Sequence, residues 1–340
     1  VEVDLLAIRA ESAHLGALPD GVRLIDLGVR HSGLAILPLA RYLARERPGA
    51  LLAAKDRAIR AAVVARALAR APCRIVGRLG TNLSAALDGK AGATRWLRTA
   101  PMRFFYRPVE HVVAVSQGVL DDTRRLTGLP AARLSVIRNP VVTPRLAQLA
   151  AEAPPHPWTE ASEPPLILAA GRLTEQKDFP TLLRAFATVR AARPARLAIL
   201  GEGRGRAALT ALAQELGIAD ALLLPGFAPN PYAWMARARL FVLSSAWEGS
   251  PNVLTEALAL GVPSVATDCP SGPREVLAGG RFGPLVPVGD HAQLAQAMLA
   301  TLAAPLAPET LRAAVADYTQ AAAAAAYLRV LLPQRQPERP

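Results

Sequence analysis

The sequence predicts an α/β protein made of two doubly wound, Rossmann-like domains that face each other across a cleft. Three observations predict it. Short apolar runs of strand length alternate with amphipathic stretches of helix length, the pattern of βα units feeding a parallel sheet. Residues 151–165, AEAPPHPWTEASEPP, are rich in proline and charge and have no apolar period, so they divide that pattern in two. The chain has 340 residues, half of them apolar, enough for two cores at about 100–200 residues per domain.

The elements follow in order. In the first half the strand-like runs are VEVDLLAI, VRLIDLG, ALLAA, CRIVGRL and HVVAVS, and the helix-like ones are LPLARYLARERP and AIRAAVVARALARAP. Ser116 is placed to cap the next helix, QGVLDDTRRL, with Asp121 and Asp122 in its first turns, where the helix dipole favours negative charge. LSVIRNPV adds a strand that ends at Asn139-Pro140. The second half reads LILAAG, a helix over 180–192, RLAILG, a helix over 205–216, ALLLPG, LFVLSS, a helix over 251–260, PSVATD and GPLVP, then helices over 290–303 and 309–331. The expected units are a first domain over 1–150, the linker, a second domain over 166–305, a C-terminal helix within 306–331 that can cross back to the first domain, and a disordered tail over 332–340. Ligands are expected at the carboxyl ends of the strands, where the domains face each other.

Charge is unevenly divided. The net charge is +12, and residues 1–150 carry all of it, with 23 Lys+Arg against 11 Asp+Glu; residues 151–340 carry 16 of each. A one-sided basic field attracts nucleic acid, anionic lipid or an acidic substrate. An Ala/Arg-rich chain with only three lysines reads equally well as coding bias. No uncharged apolar run reaches the roughly 18 residues of a membrane span, and the opening VEVDLLAIRAES lacks the regions of a signal peptide, so a cytoplasmic protein is expected. Cys73 and Cys269 stand far apart in no metal-binding array and read as packing residues. With neither a D-x-D motif nor a histidine cluster, no metal and no cofactor are predicted.

The stretch WEGSPNVLTEALALG carries the chemistry. The strand LFVLSS delivers Trp247 and Glu248 to its carboxyl end, Gly249 permits a sharp turn, and Ser250 and Pro251 suit the cap and first residue of a helix. The free N–H groups of such a helix start form an anion site. Glu256, about one and a half turns in, can point back to the same crevice. Carboxylates accept hydrogen bonds from sugar hydroxyls, so two of them around an anion site suit a diphosphate held between two sugars. AAGRLTEQKDF adds the cations, Arg172 and Lys177, on a loop where Gly171 allows close backbone approach.

GRLTEQKDFPTLLRAF, LAILGEGRGRAAL, LLLPGF, the run from LFVLSS to REVL, and GPLVPVGDHAQLAQAM occur in that order over residues 166–303. Together they resemble the donor domain of retaining, family 4 glycosyltransferases of GT-B architecture, whose central motif is the glutamate pair separated by seven residues. The resemblance implies that Arg172 and Lys177 bind the donor diphosphate, Glu248 the hydroxyls of the transferred sugar and Glu256 the ribose. The backbone of Gly249, Ser250, Pro251, Asn252 and Val253 would face sugar and phosphates, and Pro225-Gly226-Phe227 would lie near the base. Glu248, Arg172 and Lys177 are the expected catalytic groups.

HVVAVSQGVLDDTRRLTGLPAARLSVIRNPV resembles the family's acceptor domain, with Asn139-Pro140 opening the inter-domain connection. The family opens with a strand and a glycine-rich turn, whereas this chain opens at Val1 on what reads as the second strand, so about one βα unit is expected to be absent. Where many relatives place an acceptor-side histidine, this chain has IVGRLGTNLS, so no catalytic histidine is assigned; Arg78, Thr81 and Asn82 are the cleft candidates, and His31 and His111 read as structural. A retaining transfer can run on the donor's front face, with the departing phosphate helping to take the acceptor proton, so that orientation and charge stabilisation do most of the catalysis.

The resemblance implies transfer of a hexose or N-acetylhexosamine from a nucleotide diphosphate sugar, uridine-linked, to a glycan or lipid-linked glycan acceptor in envelope or exopolysaccharide synthesis. The nucleotide sugar is a co-substrate rather than a cofactor. In TRWLRTAPMRFFYRP, residues 94–108, arginines interleave with aromatics, which suits peripheral contact with an anionic membrane at its inner face as well as an ordinary packed helix. LGEGRG lacks the G-x-G-x-x-G spacing of a dinucleotide site. The alternatives are a truncated, inactive remnant that keeps a donor pocket and, because of the basic first half, a nucleic-acid binder; no recognition motif accompanies that charge, and no nucleic acid is expected.

Overall fold

The computed structural model describes residues 2–8, 18–31, 33–153, 156–160 and 164–333. Val1, parts of the 151–165 stretch and residues 334–340 of the expected tail lie outside the described residues.

In the first half each apolar run becomes a parallel strand. β1 (Val3–Ala7) pairs with β2 (Val22–Asp26). Helix α1 (Ile36–Glu46) then leads to β3 (Ala50–Ala54), α2 (Asp56–Ala69), β4 (Arg74–Leu79), α3 (Leu83–Ala86), α4 (Gly92–Phe105), β5 (His111–Ala114), α5 (Gln117–Thr127) and β6 (Leu134–Val136). Strands β3, β4, β5 and β6 form a sheet in that order. Leu43, Ile59, Ile75, Met102, Tyr106, Val112 and Val119 are among the side chains that fill the core between this sheet and its helices.

Helices α6 (Pro144–Ala150) and α7 (Pro157–Glu160) lead from the first half into the second, which runs β7 (Leu166–Ala170), α8 (Phe179–Ala192), β8 (Arg196–Leu200), α9 (Arg206–Glu215), β9 (Leu222–Gly226), α10 (Pro231–Met235), β10 (Leu240–Leu243), α11 (Asn252–Ala259), β11 (Ser264–Thr267), α12 (Pro273–Val276), β12 (Leu285–Val286), α13 (His291–Ala303), α14 (Pro308–Ala313) and α15 (Gln320–Leu331). Its sheet order is β12-β11-β10-β7-β8-β9. The first strand of this half therefore lies at the centre, with later strands added on one side and then the other. Helices must cover both faces of such a sheet, which is why β7 reads LILAA with every residue buried. Ile167 and Ala169 face a core with α8 and α13, and Leu166, Leu168 and Ala170 face the other with α10 and α11. The strand order reverses between β7 and β10, and a crevice opens at the carboxyl ends of those two strands.

The structure corrects three local expectations. The helix expected over 309–331 is two helices, α14 and α15. Between them Tyr318 O accepts the Val142 N–H at 2.8 Å, and Thr319 caps α15 through its side chain, so the chain turns there instead of continuing. Helix α15 packs Ala323, Tyr327 and Val330 on Val76, Val113 and Ile137 of the first half's sheet. Ser116 caps α5, accepting the Val119 N–H at 3.3 Å, but Asp122 serves another helix: its carboxylate accepts the Leu83 and Ser84 N–H groups at the start of α3. Ser250 does not cap α11; Pro251 holds the cap position at ψ 86° without a side-chain hydrogen bond, and Asn252 is the first helical residue.

Candidate functional site

Two loops meet at the point where the strand order reverses. The loop after β7 turns at Gly171, where a Cβ would sit 2.6 Å from Lys177 Cε, so only glycine lets the lysine stem lie across the backbone. The loop after β10 carries Ser244 to Ser250. Ala246 N donates to Gln176 O at 2.8 Å, Gln176 Nε2 to Trp247 O at 3.0 Å and Ser244 Oγ to Lys177 O at 2.7 Å. LGEGRG braces the first loop from behind, with Leu173 N donating to Glu202 O and Gly205 N to Leu173 O, both at 3.0 Å.

These loops and the start of α11 enclose a cavity of about 270 Å³ lined by Gly171, Arg172, Lys177, Glu248 and the run Ser250 to Val253, together with Ala170, Thr174 and Gln176. Glu248 is buried, and its Oε1 accepts from Lys177 Nζ at 2.6 Å and from Ser245 Oγ at 2.7 Å. Arg172 is exposed at the mouth. Pro251 brings no side-chain cap to α11, and Asn252 and Val253, its first residues, line the same space, where a helix start favours an anion. One wall is thus cationic and rich in N–H donors, and a fixed carboxylate stands beside it. An ammonium has three protons, so Lys177 can keep Glu248 and still donate to an incoming phosphate oxygen.

Four of the donor-side candidates, Gly226, Phe227, Gly249 and Glu256, are not in that lining. Glu256 turns to α10 and accepts from Tyr232 Oη at 3.4 Å. Burial pushes its carboxyl above the ordinary range, the tyrosine opposing the shift, and burial with the Glu256 charge lifts the Tyr232 phenol to about 12. Gly226 is buried at φ +88°, and the Phe227 ring beside it is 72% exposed. Cys269, read as a packing residue, is buried close to the ion pair; burial first and the Glu248 charge second push its thiol up to about 12, so it is inert. A larger hollow of about 570 Å³, lined by Trp158, Arg190, Arg196 and Asp220, lies near the amino ends of β7 and β8, away from the crevice, and none of the candidates line it.

The glycosyl transferases group 1 family model matches residues 164–304, and the glycosyltransferase family 4 model matches residues 1–145. The fold is similar to that of the apo form of the lipopolysaccharide outer core galactosyltransferase WaaB, with TM-score 0.69 at 20% identity over 92% of this chain and 84% of that one. Each half thus matches a glycosyltransferase model, and the fold is GT-B. The Anabaena protein Alr3699/HepE in complex with UDP-glucose is similar at TM-score 0.67 and 20% identity, covering 91% of this chain and 83% of that one. A curated relative in Campylobacter jejuni, N-acetylgalactosamine-N,N'-diacetylbacillosaminyl-diphospho-undecaprenol 4-alpha-N-acetylgalactosaminyltransferase, is 33% identical over 193 residues, 57% of this chain and 51% of that protein. The chain spans about half the length of curated relatives such as this one.

The first half of the chain meets the second through two sets of polar contacts, one of which ends in the cavity wall. Arg78 Nη2, at the end of β4, donates to Asn139 Oδ1 at 2.6 Å, and Asn139 Nδ2 donates to Asn252 Oδ1 in the cavity wall at 2.7 Å. Asn82 caps α3 with its carbonyl and donates from Nδ2 to Ser271 Oγ at 2.9 Å. Thr81 is exposed, and its backbone with that of Gly80 presses on Gly249, where a Cβ would land on the Gly80 carbonyl oxygen. His111 is half-buried against Ser135 Oγ, as a structural histidine would be, and burial lowers its pKa.

Sequence reasoning missed Tyr232, Ser245 and Glu275. Ser245 was visible as the second polar residue ending LFVLSS, and Asn230-Pro231 signalled the helix that carries Tyr232. Glu275 left no signal: its carboxylate accepts the Gln117 and Gly118 N–H groups at 2.9 and 3.1 Å, across more than 150 residues of sequence. An acid from the second half thus sits at the start of α5, where Asp121 and Asp122 were expected to answer the dipole.

Proposed function

We propose that the chain is a retaining glycosyltransferase that moves a hexose or N-acetylhexosamine from a uridine diphosphate sugar to a glycan or lipid-linked glycan in envelope or exopolysaccharide synthesis. The cavity at the β7/β10 crevice carries this reading, because it brings Arg172, Lys177, the amides of α11 and Glu248 into one space. The diphosphate would lie between Arg172, Lys177 and the start of α11, which are placed to stabilise the charge that grows on the leaving phosphate without a metal ion. Glu248, held by Lys177 and Ser245, would accept hydrogen bonds from the sugar's hydroxyls and fix its orientation. The ribose would reach Glu256 and Tyr232, and the base would meet the exposed Phe227 ring. The acceptor would enter on the side of the Arg78, Asn139 and Asn252 relay, with Thr81 and Asn82 nearby. This reading places the protein in the cytoplasm with its donor.

The test is calorimetric titration of the chain with a panel of nucleotide diphosphate sugars, followed by transfer and assignment of the product anomer by NMR. One uridine-linked donor is expected to bind, Lys177→Ala and Glu256→Gln to weaken it, and the product to keep the donor's anomeric configuration with chelator present. Absence of donor binding by the folded chain overturns the donor reading; an inverted anomer overturns retention alone.

A further inference from the structure

Helix α4 is exposed on every residue from Gly92 to Arg98, and the single buried residue along its length is Met102. Trp96, Leu97 and Phe104 are 66%, 64% and 69% exposed. At 3.6 residues per turn, Leu97 and Phe104 project within about 20° of each other and Trp96 about 100° to one side, with Ala93 and Ala100 between. Phe105 faces the other way, against the first half's core and beneath the Arg60 guanidinium. The apolar arc therefore belongs to no core among the described residues. Isolated exposed apolar side chains need no explanation, but three large ones on one helix face mark an interaction surface.

The charge around the arc identifies the occupant. From Lys90 to Arg107 the chain has five basic residues and no acidic one. Arg98, Arg103 and Arg107 are exposed and form no ion pair among the described residues, while Arg95 approaches Asp88 at 3.8 Å. A second copy would bring like charges together, and a nucleic acid duplex would leave the apolar side chains in water. An anionic lipid surface satisfies both features. Because α4 leads from the carboxyl end of β4 toward the amino end of β5, its Trp96 end stands on the side where Asn82 meets Ser271.

We propose that α4 docks on an anionic membrane surface, with Trp96, Leu97 and Phe104 entering the boundary between headgroups and acyl chains while Arg98, Arg103 and Arg107 meet lipid phosphates. The inference rests on α4 alone and does not need the donor reading. It is tested by sedimenting the full chain with vesicles of phosphatidylcholine, or of phosphatidylcholine with phosphatidylglycerol. The changes are made in two sets, Trp96→Ala with Leu97→Ala and Phe104→Ala, and Arg103→Gln with Arg107→Gln. All these side chains are exposed, and unchanged melting temperatures verify the fold.

The wild type is expected to bind the anionic vesicles in a salt-sensitive way and to leave the neutral ones. The arginine set should bind about 25-fold more weakly, about five-fold for each charge, and the apolar set about ten-fold or more. A blue shift of tryptophan emission on anionic vesicles, absent in Trp96→Phe, is expected with it. No binding to the anionic vesicles, equal binding to both compositions, or an apolar set that binds like the wild type overturns the proposal. Dimerisation abolished by the apolar set, without vesicle binding, would assign the face to a second copy and overturn it as well.

Discussion

Replacing Lys177 by alanine tests whether the cavity's ion pair is held away from water. Lys177 Nζ lies 2.6 Å from Glu248 Oε1, and the two side chains are 15% and 8% exposed. Two unit charges at that range attract by about 6 kcal/mol at an effective dielectric constant of about 20. Withdrawing each from water costs several kcal/mol, so the intact pair adds little net stability. Without the ammonium, that cost stays on Glu248, with Ser245 Oγ at 2.7 Å as its remaining side-chain donor. The expected loss is about 3 kcal/mol, the lower end of the range for an orphaned buried charge, because Ser245 remains. For a domain of this size that is a fall in melting temperature of about 6–12 °C. Lys177→Met combined with Glu248→Gln removes both charges and is expected to recover most of it. Scanning calorimetry at neutral pH compares the three proteins. A single variant that melts with the wild type would refute the argument, because it would mean that water already screens Glu248; so would a double variant as unstable as the single.

Burial raises the Glu256 carboxyl above its ordinary 4.5, so below that pH the folded and unfolded chains both hold the proton, and as pH rises the unfolded chain ionises first. The wild type should therefore lose stability relative to Glu256→Gln from that pH upward until the folded group ionises; parallel urea midpoints across the range would contradict it. Gly249→Ala puts a methyl on the Gly80 carbonyl and should push the halves apart, enlarging the radius of gyration in solution scattering, whereas Gly92→Ala, with nothing within 4 Å, should not. A radius unchanged in both would show that the contact yields locally. Glu275→Gln weakens a charge-assisted contact at the start of α5 by about 1–2 kcal/mol. Hydrogen exchange at the Gln117 and Gly118 amides should speed up by about ten-fold, and an unchanged rate would mean that the carboxylate does not hold them.

Strands were the most legible part of the fold. A stretch of strand buried on both faces must be apolar, and LILAA, the LAIL of β8 and LFVL say so without reference to neighbours. The loop residues Gly171, Arg172, Lys177 and Glu248 could be placed because a βα loop follows directly from its strand, so a position a few residues past the last apolar residue is also a position in space. Glu256 was placed less well: a helix rotates each residue by about 100°, and the side it faces depends on what packs there. Tyr232 decided that.

The sequence by itself determined the alternation of strands and helices, the division into two halves and the loops that end at the crevice, because each follows from local periodicity and from the residues that begin and end an element. Tertiary structure alone decided the pairing of Lys177 with Glu248, the turn of Glu256 toward Tyr232, the carboxylate of Glu275 at the start of α5, the return of α15 to the first sheet and the exposure of one face of α4. These are contacts between segments distant in the chain, and no local pattern records them. Whether an arginine and an aromatic on one helix serve a core or a surface is settled by what lies against that helix, and for Trp96, Leu97 and Phe104 the described residues place nothing there.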